Sequence, residues 1–336
     1  MSQKPDFGAF VISLDFEIHW GVRDHFSLDH GYQENLLGER QSVPAMLQLF
    51  KEFEVAATWA IVGFLFAESK EELEKYKPSV LPDYHNKSLF PYNEKLGRSE
   101  EEDPFHFAPS LIRQIQATPR QEIGTHTFSH YFCLEAGQDK ESFDADLKSA
   151  MEISNAYQVQ PRTIIFPRNQ HNPDYEDVLL KRGIDCFRGN QKAWMYQISQ
   201  ENLKSFRHKA ARVLDAYVNL SGFHTADWSE VWKGNLANIP ASFFLRPLQK
   251  KVKQAERLRL RRLSKSIEYA AKNRKIFHLW WHPHNFGVDL QENLDFLRRV
   301  LDVFKECQEK YGMKSMTMSE VAAAAQHLKE AESVKS

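Results

Sequence analysis

The chain has 336 residues, a net charge of -1, and 26% charged and 42% hydrophobic residues. This is an ordinary globular composition, long enough for one large domain or two smaller ones, and its balanced charge gives no support to nucleic acid as a partner. Three scattered cysteines, Cys133, Cys186 and Cys307, argue against a disulfide framework. The start MSQKPDFGAF lacks a basic-then-apolar leader and no apolar run is long enough to span a membrane, so a cytoplasmic enzyme is expected.

Taken in chain order, β-branched or aromatic runs alternate with amphipathic stretches, the pattern of an α/β domain with a parallel sheet. AFVISLDFE predicts the first strand, and ERQSVPAMLQLFKEFEV a helix with Val43, Met46, Leu47, Phe50 and Phe53 at helical spacing. AATWAIVGFLF reads as the second strand. Residues 68–106 are charged and punctuated by proline, which predicts a surface insertion. PSLIRQIQATP is a short helix before the strand QEIGTHTF, and KESFDADLKSAMEISNAYQ a helix before the strand RTIIFPRNQ. DYEDVLLKRG is a helix ended by glycine, and IDCFRGN a strand. Residues 240–275 break the rhythm as a basic helical insertion. Leu248, Val252, Ala255, Leu258, Leu263 and Ile267 form its apolar stripe, with Lys and Arg on the other face. KIFHLWWHPHNFG is a strong late strand, VDLQENLDFLRRVLDVFKECQEKYG a long helix, and SMTMSEVAAAAQHLKEAE a short strand and a terminal helix. Without repeats or linkers, residues 1–336 read as a single domain.

Four motifs stand where these strands end. Asp15 and Glu17 are two apart on a strand, so both carboxylates leave one face and repel unless a cation or proton sits between them. His126 and His130 are four apart, and helical geometry there would place both imidazoles on one side, as a metal requires. The residues between them, Thr127, Phe128 and Ser129, include no base. The two clusters answer each other: Glu17, His126 and His130 make a three-ligand divalent site with open positions, and Asp15 is left free as the base. Arg168, just past IIFP, could hold Asp15 ionised by a bidentate contact. His282 and His284 follow the late strand around a proline, and a histidine facing the base is what a departing amine needs for protonation.

These residues resemble the polysaccharide deacetylase family of the carbohydrate esterase family 4 type. Ser13-Leu14-Asp15-Phe16-Glu17 loosely matches its T-F-D-D-G motif, with D-x-E in place of D-D. His126-Thr127-Phe128-Ser129-His130 meets H-[ST]-x-x-H in full, Phe166-Pro167-Arg168-Asn169 keeps only the arginine of R-x-P-Y, and Leu279-Trp280-Trp281-His282 meets L-x-x-H. The resemblance implies a distorted (β/α) barrel with fewer than eight regular units, here with helical insertions. It also implies a divalent metal, most often zinc, with Asp15 as base and His282 as acid, and a further acid that tunes the histidine, for which Asp215 and Asp227 both stand open. Asn169 and His284 join Trp20 as candidates for substrate contact. Trp194, Trp228 and Trp281 could also stack on sugar rings.

The activity implied is hydrolytic removal of an N-acyl group, N-acetyl first, from an amino sugar in a glycan or in its nucleotide- or lipid-linked precursor. Three alternatives stand beside it: cleavage of another carbon–nitrogen amide such as a formamide, a non-catalytic carbohydrate-binding relative, and a non-haem iron oxygenase, which would prefer an all-β barrel. The basic stretch 257–275 could rest on anionic headgroups or bind a diphosphate, against the plainer reading of a solvated helix face.

Overall fold

The computed structural model describes residues 5–26, 28, 31–196, 205–248 and 253–333. Ten strands among them form one sheet: β1 (Ala9–Phe16), β2 (Ala57–Ile61), β3 (Gln121–Thr125), β4 (Thr163–Ile164), β5 (Cys186–Phe187), β6 (Trp232–Lys233), β7 (Leu236–Asn238), β8 (Phe243–Phe244), β9 (Ile276–Trp281) and β10 (Lys314–Met316). The helices are α1 (Gln33–Glu52), α2 (Lys70–Lys75), α3 (Pro109–Ala117), α4 (Lys140–Ala156), α5 (Glu176–Lys181), α6 (Phe206–Asp215), α7 (Lys253–Asn273), α8 (Leu290–Tyr311) and α9 (Met318–Ser333).

Strand order is β6-β7-β5-β4-β3-β2-β1-β9-β8, all parallel except the β6–β7 pair. The path is open at β6 and β8, a curled partial barrel of the distorted kind expected and not an all-β barrel. β1 lies at its centre. It pairs with β9 on one side; on the other, β10 takes residues 9–11 and β2 takes residues 13–16. All eight of its residues are buried, as a parallel strand covered on both faces requires.

Alternation along the strands sorts the core into two bodies. Phe10, Ile12, Leu14 and Phe16 pack outward under α1 and α8, in the large cluster that also holds Phe50, Trp59, Trp281, Leu297 and Phe304. Ala9, Val11, Ala60, Cys186 and Ala237 face the other way, into the curl. There α9 supplies Met318, Val321, Ala322 and Ala325, one helical stripe that closes one end of the curl. The other end, at the carboxyl ends of the strands, is left for chemistry.

Two regions depart from the sequence pattern. Residues 68–106 carry α2 and short 3-10 turns. In 240–275, Phe243–Phe244 adds a strand beside β9 before α7 begins at Lys253. Leu263 and Ile267 of the apolar stripe are buried and α7 packs on α8, but Leu258 is exposed and Val252 lies outside the described residues. The basic face is partly turned inward: Arg259 lies 4.1 Å over the Phe296 ring and Arg262 4.6 Å over Phe243, both nearly fully buried. Lys272 and Lys275 are paired with Glu268 and Asp227. No helix of the described residues is long and apolar enough to cross a membrane.

Candidate active site

Six segments end at the open mouth of the curl. β1 delivers Asp15 and then Glu17, which precedes a 3-10 turn at Ile18–Gly21. β3 delivers His126, and the chain reaches His130 by a loop, not by the helix that the four-residue spacing suggested. Thr127 and His130 sit at φ 65° and 58°, a left-handed turn that swings the second imidazole back toward the first. Asp146 on α4 holds this loop, accepting hydrogen bonds from the backbone N–H groups of Phe128 (2.8 Å) and Ser129 (3.2 Å) and from the Ser129 hydroxyl.

Glu17, His126 and His130 converge. Their donor atoms all lie within 4.8 Å of one another, and Glu17 Oε2 is 3.1 Å from His130 Nε2 and 3.3 Å from His126 Nε2. None of the three side chains is more than about one-twentieth exposed. His126 Nδ1 donates to the Ile165 carbonyl at 2.8 Å, which leaves Nε2 as a bare lone pair; that atom is buried and has no hydrogen-bond partner. An imidazole anchored through its far nitrogen, with its near one aimed at a carboxylate, has the orientation of a metal ligand. Burial takes His130 down to about 4, so it is neutral and able to ligate. Burial raises the Glu17 carboxyl, but His282, His126 and His130 together bring it well below its ordinary value. A neutral–neutral–anionic donor set of this shape fits a divalent cation with coordination positions to spare.

Asp15 stands beside this trio, and its clamp is Arg188, not Arg168. Arg188 Nη1 and Nη2 donate to the two carboxylate oxygens at 2.6 and 2.7 Å. Burial pushes Asp15 up, and Arg188 with His126 and His282 more than offsets this, leaving the carboxyl below its usual value. The guanidinium is itself fixed: it lies 4.0 Å over Trp280 and donates to Asn169 Oδ1 at 2.9 Å and to Ser13 Oγ at 3.0 Å. Ser13 in turn donates to His278 Nε2 at 2.8 Å, whose Nδ1 donates to the Ile239 carbonyl at 3.0 Å. Burial holds His278 at about 3, so this imidazole is a neutral acceptor. A polar layer, His278–Ser13–Arg188, therefore supports Asp15 from beneath. Arg168 instead pairs with Asp24 and lies 4.5 Å over Phe132, while its side chain still lines the cavity. The cue for Arg188 was its place directly after the IDCF strand.

His282 closes the group. Its Nε2 is 3.5 Å from Glu17 Oε1 and 3.8 Å from Asp15 Oδ2, and its side chain is 23% exposed, the most open of the cluster. The remaining candidates fall elsewhere. His284 is buried, stacked on His282 at 5.0 Å and 3.9 Å from Glu39, outside the cavity lining. Trp20 is core: its indole N–H donates to the His106 carbonyl at 3.0 Å. Trp228 and Trp281 are buried as well, and Trp194 is exposed but does not line the cavity. Neither acid proposed to tune His282 touches it. Asp227 pairs with Lys275, just before β9 begins and so at the strand end opposite His282, while Asp215 accepts from Tyr196, Ser221 and the Leu220 N–H. A second trio, His19, Glu94 and His106, also gathers within 4.8 Å; His19 Nδ1 and His106 Nε2 are 2.9 Å apart and join the loops after β1 and before α3.

Above Asp15, Glu17 and His130 opens a cavity of about 530 Å³. Trp280 and Phe244, with rings 4.6 Å apart, form an aromatic wall beside His282; Asn169, Asn190 and Gln191 add polar groups. Lys209, Arg212 and Arg246 line it as well.

Comparison with known proteins gives the following. Residues 25–187 match the family described as polysaccharide deacetylase. No curated protein matches the chain. Among solved structures, a putative polysaccharide deacetylase from Mycobacterium smegmatis is similar at 15% identity and TM-score 0.60, over 98% of this chain and 93% of that one. A probable polysaccharide deacetylase from Pseudomonas aeruginosa PAO1 is similar at 11% identity and TM-score 0.54, over 95% and 90%. The PuuE allantoinase is similar at 11% identity and TM-score 0.54, over 95% and 89%. At these identities the likeness is one of fold.

Proposed function

We propose, from the match of residues 25–187 to the polysaccharide deacetylase family, that this chain is a deacetylase-type hydrolase that removes an N-acyl group, N-acetyl first, from an amino sugar in a metal-dependent reaction. The observation that carries this reading is the meeting of Glu17, His126 and His130 around one point, with Asp15 clamped beside it and His282 facing both carboxylates.

Glu17, His126 and His130 would hold the ion, zinc in the first place. When bound, it supplies Lewis acidity that polarises the acyl carbonyl and acidifies water. The chain's own residues move the protons. Asp15, kept ionised and aimed by Arg188, accepts the proton of the attacking water. His282, open to the cavity, gives a proton to the departing amine. Trp280 and Phe244 offer flat apolar faces to a sugar ring, and Asn169 and Asn190 offer hydrogen bonds at the rim. The substrate class is an amino sugar in a glycan or in its nucleotide- or lipid-linked precursor.

The test is acetate or formate release by the purified, metal-analysed chain from nucleotide sugars, N-acetylhexosamine oligomers and lipid-linked sugars. Asp15→Asn should keep its metal and lose about 10²–10⁴-fold in turnover, the usual contribution of a positioned base. An Asp15→Asn variant with most of its activity intact would remove the base from this scheme.

A further inference from the structure

The cavity has two electrostatically different ends. Its floor carries the carboxylates Asp15, paired with Arg188, and Glu17, set between His126 and His130. Arg168 at the rim is matched by Asp24. Lys209, Arg212 and Arg246 line the same cavity, and among the described residues none of them is paired with a carboxylate. Lys209 and Arg212 are three apart on α6, so they present to one side. Arg246 comes from the segment after β8. The elements are braced. Asp215 at the end of α6 accepts from Tyr196 of the cavity wall at 2.9 Å and from Leu220 and Ser221, and Arg259 donates to the Arg246 carbonyl. Burial holds the Arg246 guanidinium below its ordinary value; Tyr196 opposes this, and Arg212, a like charge, adds to it. Cations without a carboxylate partner among the described residues, Lys209 exposed and Arg212 and Arg246 partly buried, repel one another where they line one cavity, and an oxyanion between them relieves that repulsion. The planar donor fork of arginine suits the tetrahedral oxygens of phosphate.

We propose that Lys209, Arg212 and Arg246 form a subsite for a phosphate or diphosphate group carried by the acylated amino sugar, so that the substrate is an activated, phosphate-linked sugar and not a neutral polymer. The proposal rests on the deacylase reading of the cavity floor and deepens it. A neutral glycan offers these three cations hydrogen-bond acceptors but no countercharge. A sugar with its acyl group at Glu17 and His130 and an anion on another carbon uses both ends of one cavity. Nucleoside diphosphate and polyprenyl diphosphate carriers share this chemistry. Phe206 and Leu214, exposed on the same helix, make the lipid carrier worth its own arm of the test.

The first measurement is calorimetric binding of inorganic pyrophosphate to the zinc-loaded full chain. Affinity should fall with added salt, and the double substitution Arg212→Gln with Arg246→Gln should weaken it about tenfold or more. Arg246→Lys, which keeps the charge but loses the donor fork, should retain more of it than Arg246→Gln. Equal pyrophosphate binding by the wild type and the double variant would overturn the subsite. The second measurement compares acyl release from a nucleoside-diphosphate N-acetylhexosamine, a polyprenyl-diphosphate N-acetylhexosamine and a neutral N-acetylhexosamine oligomer. One diphosphate substrate should be preferred in kcat/KM, with the preference collapsing through KM in the double variant; the preferred carrier identifies the source of the phosphate. If the neutral oligomer is cleaved as well as either, the subsite falls and the deacylase reading stands. If pyrophosphate binding depends on the arginines but no acyl sugar is cleaved, the deacylase reading falls and the anion site remains.

Discussion

Gly21 has no side chain because the Glu17 carboxylate lies where one would be: a Cβ there would stand 2.0 Å from Glu17 Oε1. Gly21→Ala should therefore displace the carboxylate from His126 and His130, and zinc affinity, read by competition with a chromogenic chelator, should fall about 10–100-fold, as it does when a ligand loses its support. Asp15 makes a second prediction. A base works only when deprotonated, so activity is present above its pKa and lost as pH falls through it. Arg188 lowers that pKa, and Arg188→Met removes the lowering while leaving the burial that raises it. The acid limb of the pH–kcat/KM profile should move to higher pH, and an unmoved limb would separate Arg188 from Asp15. Most of the cluster was legible at this scale: Asp15, Glu17, His126, His130 and His282 each stand at the end of an apolar run, where a solvated role fits poorly. Arg188 was not, because a guanidinium reaches Asp15 from any neighbouring strand end, and spacing along the chain does not say which. Trp280 and Trp281 show the same limit, since their alternation about β9 puts one against the cavity and the other in the core.

At the scale of elements, the loop from His126 to His130 depends on α4. Asp146 is buried and takes the N–H groups of Phe128 and Ser129. Asp146→Ala would leave those donors without an acceptor, at about 1–3 kcal/mol each. Urea unfolding should show the loss of stability, and zinc content should fall with it, since His130 loses its left-handed turn. The long helices and the full strands were readable from their periods: α4, α8, β1, β2 and β9 lie where the apolar spacing put them. Helix α6 and the strands β6 to β8 were not. Two or three residues carry no period, and α6 exposes Phe206, Val213 and Leu214, so its apolar pattern does not mark a buried face.

The whole molecule is a curl stopped at one end and reactive at the other. Met318, Val321, Ala322 and Ala325 of α9 fill the interior below the His278–Ser13–Arg188 layer. Met318→Ala should cost about 2–5 kcal/mol in urea unfolding, as other buried methionine truncations do. A change near zero would mean that α9 is an appendage.

What the sequence determined by itself was local: which segments are strands, which residues stand at their ends, and which donors could share an ion, because period and side-chain chemistry act over a few residues. Tertiary structure decided what depends on distance between segments far apart in the chain. It put Arg188 and not Arg168 on Asp15, turned His284 and Trp20 into the core, folded the His126–His130 pair through a loop, and brought Lys209, Arg212 and Arg246, without a carboxylate partner among the described residues, to the wall of the same cavity. A carboxylate's partner is chosen by proximity in space, and packing the sheet is what sets that proximity.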